Sequence, residues 1–207
     1  MMLSTLLALS LVQTPVWDSP VFSNPDPWTS FEKGPLVLEG REVKGTQFSE
    51  YRVTFETKDV TVEALCAAVF EWGTKEADSP GLIASKVLRD GDDERVVYNQ
   101  IEQPFVSNRD YAMTVVRKRD DQGCGIRFKA TNDLAPPRGE ATVRMDRLWG
   151  SWRFTPVEGG AVRIVYTLFA DPSGSVPSFV VHGSQRSAAK SSVKKAIAKA
   201  QALGVKK

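Results

Sequence analysis

The sequence predicts an α+β fold in which a curved antiparallel β-sheet wraps around a long C-terminal α-helix. Eight segments alternate apolar with polar residues and are rich in Val, Thr, Tyr and Phe. Clear turn sequences join most of them one after another, as in a series of hairpins. The last segment, from about Pro177 to Leu203, is expected to be a helix, with proline at its start where the missing N–H costs little.

The elements follow in order along the chain. A shorter helix is expected at Val62–Phe70, preceded by Thr61 and packed by one apolar stripe. Hairpins one after another favour a sheet that is apolar on its concave face. The strands are predicted at Leu36–Val43, Phe48–Glu56, Arg95–Gln103, Arg109–Arg119, Gly125–Thr131, Glu140–Leu148, Ser151–Val157 and Ala161–Ala170.

Alternation along the strands assigns side chains to the two faces of the sheet. In several strands an apolar set opposes Arg or Lys, which marks the apolar set as inward-facing. From this pattern alone, a filled hydrophobic core is favoured over an open cavity. The side chains assigned to the inner face are Val96, Tyr98, Gln100, Arg109, Tyr111, Met113, Val115, Ile126, Phe128, Val143, Met145, Trp152, Phe154, Ile164, Tyr166 and Leu168.

The N-terminus differs from the rest of the chain. Leu3–Val12 is an apolar stretch too short to span a membrane, and residues 1–14 suit a signal peptide. No Lys or Arg precedes this stretch, so a partly buried N-terminal segment is the alternative. Residues 15–27 contain four prolines and are expected to form an extended linker before a domain at 28–203. We expect export to the periplasm or the medium if the signal is real, and a cytoplasmic protein otherwise.

Composition and the reactive residues argue against several functions. The net charge of +2 is weak, and we find no nucleic-acid-binding signature. Cys66 on a helix and Cys124 beside a turn are expected to be two free thiols, although a pair stays open. No Cys and His cluster has metal-ligand spacing, so neither a metal nor another cofactor is expected. His182, the only histidine, has no acid after Asp171 to orient it and is expected at a cavity rim or cap.

The C-terminal helix carries an unbalanced charge. Seven Lys and Arg residues and no acid follow Asp171. One arc of the helix is apolar, formed by Ala189, Val193, Ala196, Ile197, Ala200 and Leu203. A solvated helix face is one interpretation of the lysines, and transient contact with anionic membrane is the other. The predicted membrane contacts are Lys190, Lys194, Lys195 and Lys199.

Three phrases of the sequence carry a resemblance to a known family. They are QPFVSNRDYAM at Gln103–Met113, GSWRFTP at Gly150–Pro156 and DPSGSVPSFVV at Asp171–Val181, with Trp28 and Gly40-Arg41 upstream. In this order and spacing, over about residues 26–203, the chain resembles the START lipid transfer domains. The resemblance implies the helix-grip arrangement with an internal apolar cavity for a lipid-sized ligand.

The resemblance also implies roles for particular residues. In similar members that carry phosphatidylcholine, the Arg of the Arg-Asp motif faces the ligand's polar head, which here is Arg109; a structural ion pair with Asp110 or another carboxylate is the alternative. Val96 and Val115 best match a buried acid–base pair of sterol-type members. Because both are apolar here, the deep end of the cavity should take hydrocarbon.

We therefore expect a monomeric carrier that binds and transfers a hydrophobic ligand, a lipid above all, and is not an enzyme. One alternative is a helix-grip enzyme, cyclase- or hydrolase-like, that acts on a bulky apolar substrate, and another is a scaffold module with a closed core. The expected ligand contacts are Val96, Tyr98, Arg109, Tyr111, Met113, Val115, Ile126, Phe128, Val143, Met145, Trp152, Phe154, Tyr166, Phe179 and His182.

Overall fold

A long antiparallel sheet and two α-helices account for most of the described chain. The computed structural model describes residues 15–74, 81–102, 106–139, 141–174, 176 and 178–204, with backbone alone at 178–180. The helices are α1 (Val62–Phe70) and α2 (Ser178–Gly204). The strands are β1 (Thr29–Glu32), β2 (Leu36–Glu42), β3 (Ser49–Thr57), β4 (Leu82–Arg89), β5 (Glu94–Ile101), β6 (Asn108–Asp120), β7 (Gly123–Ala130), β8 (Thr142–Arg144), β9 (Leu148–Val157) and β10 (Ala161–Ala170).

The sheet runs in the order β1-β2-β3-β10-β9-β7-β6-β5-β4. All neighbours in this series are antiparallel, and β8 adds a short parallel pairing with the start of β6. In the middle of the sheet, β3 pairs with β10, which is distant in sequence, and Phe55 lies opposite Ile164. Successive hairpins with one long-range closure confirm the predicted curved antiparallel sheet.

Helix α2 packs against β3, β10 and α1. Its buried stripe is made of small residues, with Ala189, Val193, Ala196 and Ala200 almost completely buried. Leu203 was expected on the same stripe, but it is 43% exposed because the helix end extends past the core. Within the described ranges, no helix combines the length and the apolar character needed to cross a membrane.

The strand predictions differ from the structure in two places. The segment expected as one strand, Glu140–Leu148, contains only β8, and β9 already begins at Leu148. The chain bends between them because the Met145 N–H donates to the Asp110 backbone carbonyl (2.9 Å), and the Met145 carbonyl accepts from the Asn132 side-chain amide (2.7 Å). The edge strands β1 and β4 were not predicted, since edge strands are short or lack a clear apolar alternation.

The segment expected as an extended linker packs on the sheet instead. Two short 3-10 turns, Val16–Asp18 and Pro20–Ser23, occupy it, and Val16 is buried. The Trp17 ring lies against Gly125, where an added Cβ would come within 2.8 Å, and the Arg127 guanidinium lies over the ring. The predicted signal peptide, residues 1–14, lies outside the described residues and stays a prediction.

The expectation of two free thiols is wrong. Cys66 on α1 and Cys124 on β7 form a disulfide, with their Cα atoms 6.0 Å apart. Both cysteines are buried, since α1 lies across β7 and β9 on the concave face of the sheet. The position of a cysteine on a helix or beside a turn does not reveal this crossing.

Candidate ligand-binding cavity

A cavity of about 430 Å³ lies between α2 and the concave face of the sheet. This volume falls in the lower part of the range of roughly 300–1,000 Å³ that is typical of small-molecule sites. Most of its surface is apolar. The lining residues are Val69, Trp72, Gly73, Leu82, Asn99, Ile101, Tyr111, Met113, Val115, Ile126, Phe128, Met145, Leu148, Trp152, Tyr166, Leu168, Ala170, Ala188, Ser191, Ser192 and Lys195.

Aromatic rings form one wall of the cavity. Trp152 on β9 stacks on Tyr166 of β10, with ring centroids 3.9 Å apart, and also lies 6.0 Å from the Trp72 ring. Phe128 extends from β7 over Gly150 of β9, where an added Cβ would come within 2.3 Å of the ring. Any larger residue at Gly150 would therefore displace Phe128 from the lining.

Neutral polar groups interrupt this wall. The Tyr111 hydroxyl lies within hydrogen-bonding reach of Asn99, and the Tyr166 hydroxyl within reach of Ser192 on α2. Burial raises the pKa of both phenols above the ordinary value of tyrosine. The two tyrosines therefore stay protonated at neutral pH and can donate hydrogen bonds to a ligand.

The structure brings a large part of the expected contact set together around this cavity. β6, β7, β9 and β10 present the faces that their alternation indicates. Eight expected residues line the cavity: Tyr111, Met113, Val115, Ile126, Phe128, Met145, Trp152 and Tyr166. Their contact with a ligand stays a prediction.

On β5 the face prediction is wrong. Asn99 and Ile101 line the cavity, so the opposite set, which includes Val96 and Tyr98, lies on the outer face. The Tyr98 hydroxyl donates to Asp110 there (3.0 Å). Both sets of β5 side chains contain apolar residues and each begins with a charged one, Glu94 in one set and Arg95 in the other, so alternation alone does not choose between them.

Three other expected contacts also lie elsewhere. Phe154 faces inward but is completely buried opposite Cys124, where α1 packs on the sheet. Val143 lies on β8, and His182 binds the Tyr51 hydroxyl through Nδ1 (2.8 Å) outside the lining. The side chain of Phe179 lies outside the described residues.

Arg109 takes neither of the two roles considered for it. It is 3% exposed, does not line the cavity and makes no ion pair with Asp110. Its guanidinium donates to the carbonyls of Pro172 (3.0 Å), Ser173 (3.1 Å) and Ser107. Burial lowers the pKa of Arg109. Arg109 therefore ties β6 to the loop that leads into α2.

Asp110 has a different partner, which the sequence analysis missed. It is completely buried and receives two hydrogen bonds of 2.8 Å from Arg144 on the neighbouring β8. These bonds raise the pKa of Arg144. The two hydrogen bonds between Arg144 and Asp110 hold β8 beside β6 on the outer face of the sheet, away from the cavity.

The four lysines of α2 do not share one environment. Lys190 pairs with Glu32 (2.6 Å), and Lys199 donates to the Glu71 carbonyl (3.2 Å). Lys194 is exposed, whereas Lys195 is half-buried and lines the cavity. Membrane contact stays a prediction for these four lysines. Helical periodicity did not indicate that Lys195 would line the cavity.

Several lining residues were missed for identifiable reasons. Asn99, Ile101 and Leu82 lie on strands that were misassigned or not predicted. Ser191 and Ser192 lie beside the buried alanine stripe of α2, and helical periodicity alone does not place them at a cavity. In the described part of the chain, no group of three or more His, Cys, Asp or Glu side chains could hold a metal ion.

Comparison with known proteins identifies this architecture. No protein-family model matches the sequence. An uncharacterized Pseudomonas aeruginosa protein, PA1579, is 27% identical over 146 residues, which cover 68% of this chain and 69% of that protein. The crystal structure of a STAR-related lipid transfer protein from Xanthomonas axonopodis superposes with a TM-score of 0.73 at 23% identity, covering 85% of this chain and 99% of that one. The chain has the START fold.

A second START structure supports the same assignment. Human STARD10 superposes with a TM-score of 0.70 at 19% identity, over 84% of this chain and 72% of that one. The predicted helix-grip arrangement is confirmed, with the cavity between sheet and C-terminal helix as the START resemblance implied.

Proposed function

We propose that this protein binds a hydrophobic ligand, in the first place a lipid, in the cavity under α2 and transfers it between membranes. The observation that carries the proposal is an apolar cavity of about 430 Å³ within a START fold. The similar Xanthomonas protein is described as a lipid transfer protein, which supports the proposal. Apolar walls favour hydrocarbon because each buried methylene contributes about 0.8 kcal/mol.

Filling the cavity tests this proposal. Val115 is buried, lines the cavity and lies opposite Phe128, so Val115→Trp should occupy ligand space. We expect uptake of a fluorescent lipid to fall at least tenfold, with a melting temperature close to that of the parent. The matched control is Val87→Trp on edge strand β4, where Val87 is exposed and outside the lining.

Native mass spectrometry of the purified parent accompanies this measurement. A co-purifying lipid, lost in Val115→Trp and kept in Val87→Trp, supports the carrier. Unchanged uptake in a natively folded Val115→Trp would contradict the assignment of the cavity. Chemical conversion of the bound molecule would favour the alternative, an enzyme that acts on a bulky apolar substrate.

We further propose that α2 opens to admit the ligand and that its lysines then contact anionic membrane. Its buried alanines bury little area each, so its docking is weak. The surface contacts of Lys190 and Lys199 are each worth at most about 1 kcal/mol. Attraction of each lysine to an anionic surface, on the order of 1 kcal/mol, can replace them.

Transfer between vesicles should therefore speed up with anionic lipid and slow down with salt. Changing Lys190, Lys194 and Lys199 to Gln should remove both dependences and leave binding in solution unchanged. The control changes three exposed lysines outside α2, Lys44, Lys58 and Lys86, to Gln. If both triple variants respond to anionic lipid and salt as the parent does, the lysines of α2 do not contact the membrane.

A further inference from the structure

One cation borders the cavity and has no partner among the residues that the structure describes. Lys195 lines the cavity from α2 and is half-buried. It makes no hydrogen bond or ion pair with any described residue, whereas Lys190 and Lys199 each bond to an oxygen. The unpaired ammonium of Lys195 is therefore available to a molecule in the cavity.

Among the described residues that line the cavity, none offers Lys195 a counter-charge. Of the described residues that line the cavity, none is Asp or Glu, and Lys195 is the one that carries a charge. The other polar lining groups, on Asn99, Tyr111, Tyr166 and the two serines Ser191 and Ser192, are neutral. The cavity thus combines an apolar wall, hydroxyl donors and one net positive charge.

This combination selects among hydrophobic ligands. A neutral hydrocarbon would bury the Lys195 ammonium and the polar lining groups without forming hydrogen bonds to them. Burial of this kind costs free energy. A ligand with a terminal anion would give the ammonium a charge-assisted hydrogen bond while its chain lies on the apolar wall. The cavity volume of about 430 Å³ suits one chain better than the two chains of a membrane phospholipid.

Resting on the proposed function, we infer that the preferred ligand is a single-chain amphiphile with an anionic head, a carboxylate or a phosphate, held by Lys195. Tyr166 and Ser192 lie close to the head as additional hydroxyl groups. The hydrocarbon lies against Met113, Val115 and Phe128.

Displacement of the neutral dye Nile red from the full chain tests the inference. The competitors are hexadecanoate, hexadecyl phosphate and hexadecanol, which share one chain length and differ in the head. The parent should bind at least one anion about 10- to 100-fold more tightly than the alcohol. Lys195→Met should remove this preference, so that the two anions bind no more tightly than hexadecanol. Whichever anion binds more tightly identifies the head as carboxylate or phosphate, and either result supports the inference.

The matched control is Lys194→Met, one residue away on the same helix and exposed to solvent. It makes the same change of net charge and should keep the preference for anions. Equal binding of all three competitors by the parent, or equal behaviour of the two variants, would overturn the inference and leave the proposed function intact. Failure of the folded parent to bind any of the three would overturn both.

Discussion

Replacing both cysteines by alanine is expected to lower the free energy of unfolding by about 4 kcal/mol. The disulfide joins Cys66 and Cys124, which are 58 residues apart, and a cross-link over that length restricts the unfolded chain by this amount in the chain-entropy description. For a domain of this size, each kcal/mol lowers the melting temperature by roughly 2–4 °C. The double variant should therefore melt roughly 8–16 °C below the parent, as measured by circular dichroism.

Reduction provides the control for this prediction. Dithiothreitol should lower the melting temperature of the parent towards that of the double variant and leave the double variant unaffected. Thiol titration of the denatured parent should detect no free thiol before reduction. Two titratable thiols together with an unchanged melting temperature would restore the interpretation as free cysteines.

The second large effect is expected at Arg109. Arg109→Leu removes a buried cation that donates to three backbone carbonyls, those of Ser107, Pro172 and Ser173. Because these carbonyls lose charged donors, the free energy of unfolding should fall by about 3 kcal/mol. Urea denaturation measures this loss. Hydrogen exchange should also speed up in the loop at 171–174 and at the start of α2. Arg109→Lys should be intermediate because it keeps one donor group.

The control for Arg109 is Arg147→Leu. Arg147 also donates to two backbone carbonyls, those of Gly45 and Lys44, but it is partly exposed, so water can replace it. Its loss should cost less than about 1 kcal/mol. A selective loss of anionic ligands in Arg109→Leu, at the stability of the parent, would show instead that Arg109 binds the head of the ligand.

The faces of most strands could be predicted because charge marks them. On β7, Arg127 and Lys129 alternate with Ile126 and Phe128. The charged side chains must reach solvent, so Ile126 and Phe128 have to face inward. On β5 both sets contain a charge, Glu94 beside Val96 and Arg95 beside Val97, so charge does not separate them and the prediction there was wrong. Alternation is informative where one of the two sets would be costly to bury.

Contacts between distant segments could not be predicted in the same way. Two of the three carbonyls that bind Arg109 belong to residues more than 60 positions away, and any residue type supplies a carbonyl. Residue identities therefore do not reveal the partners of Arg109, whereas a carboxylate partner would have required an Asp or Glu. The disulfide depends likewise on how α1 crosses β7, which is a property of the assembled layers.

The disulfide also separates a covalently closed part of the molecule from helix α2. The covalent ring from Cys66 to Cys124 contains β4, β5 and β6 entirely, and these strands supply one wall of the cavity through Leu82, Asn99 and Tyr111. Helix α2 lies outside the ring, and the part of its buried stripe from Ala189 to Ala200 consists of alanines and Val193. Under the proposed function, a ligand would leave by displacement of α2 while the wall stays closed on α1. The lifetime of the folded protein and the residence time of a bound ligand would then be set by different bonds, and each could change without the other.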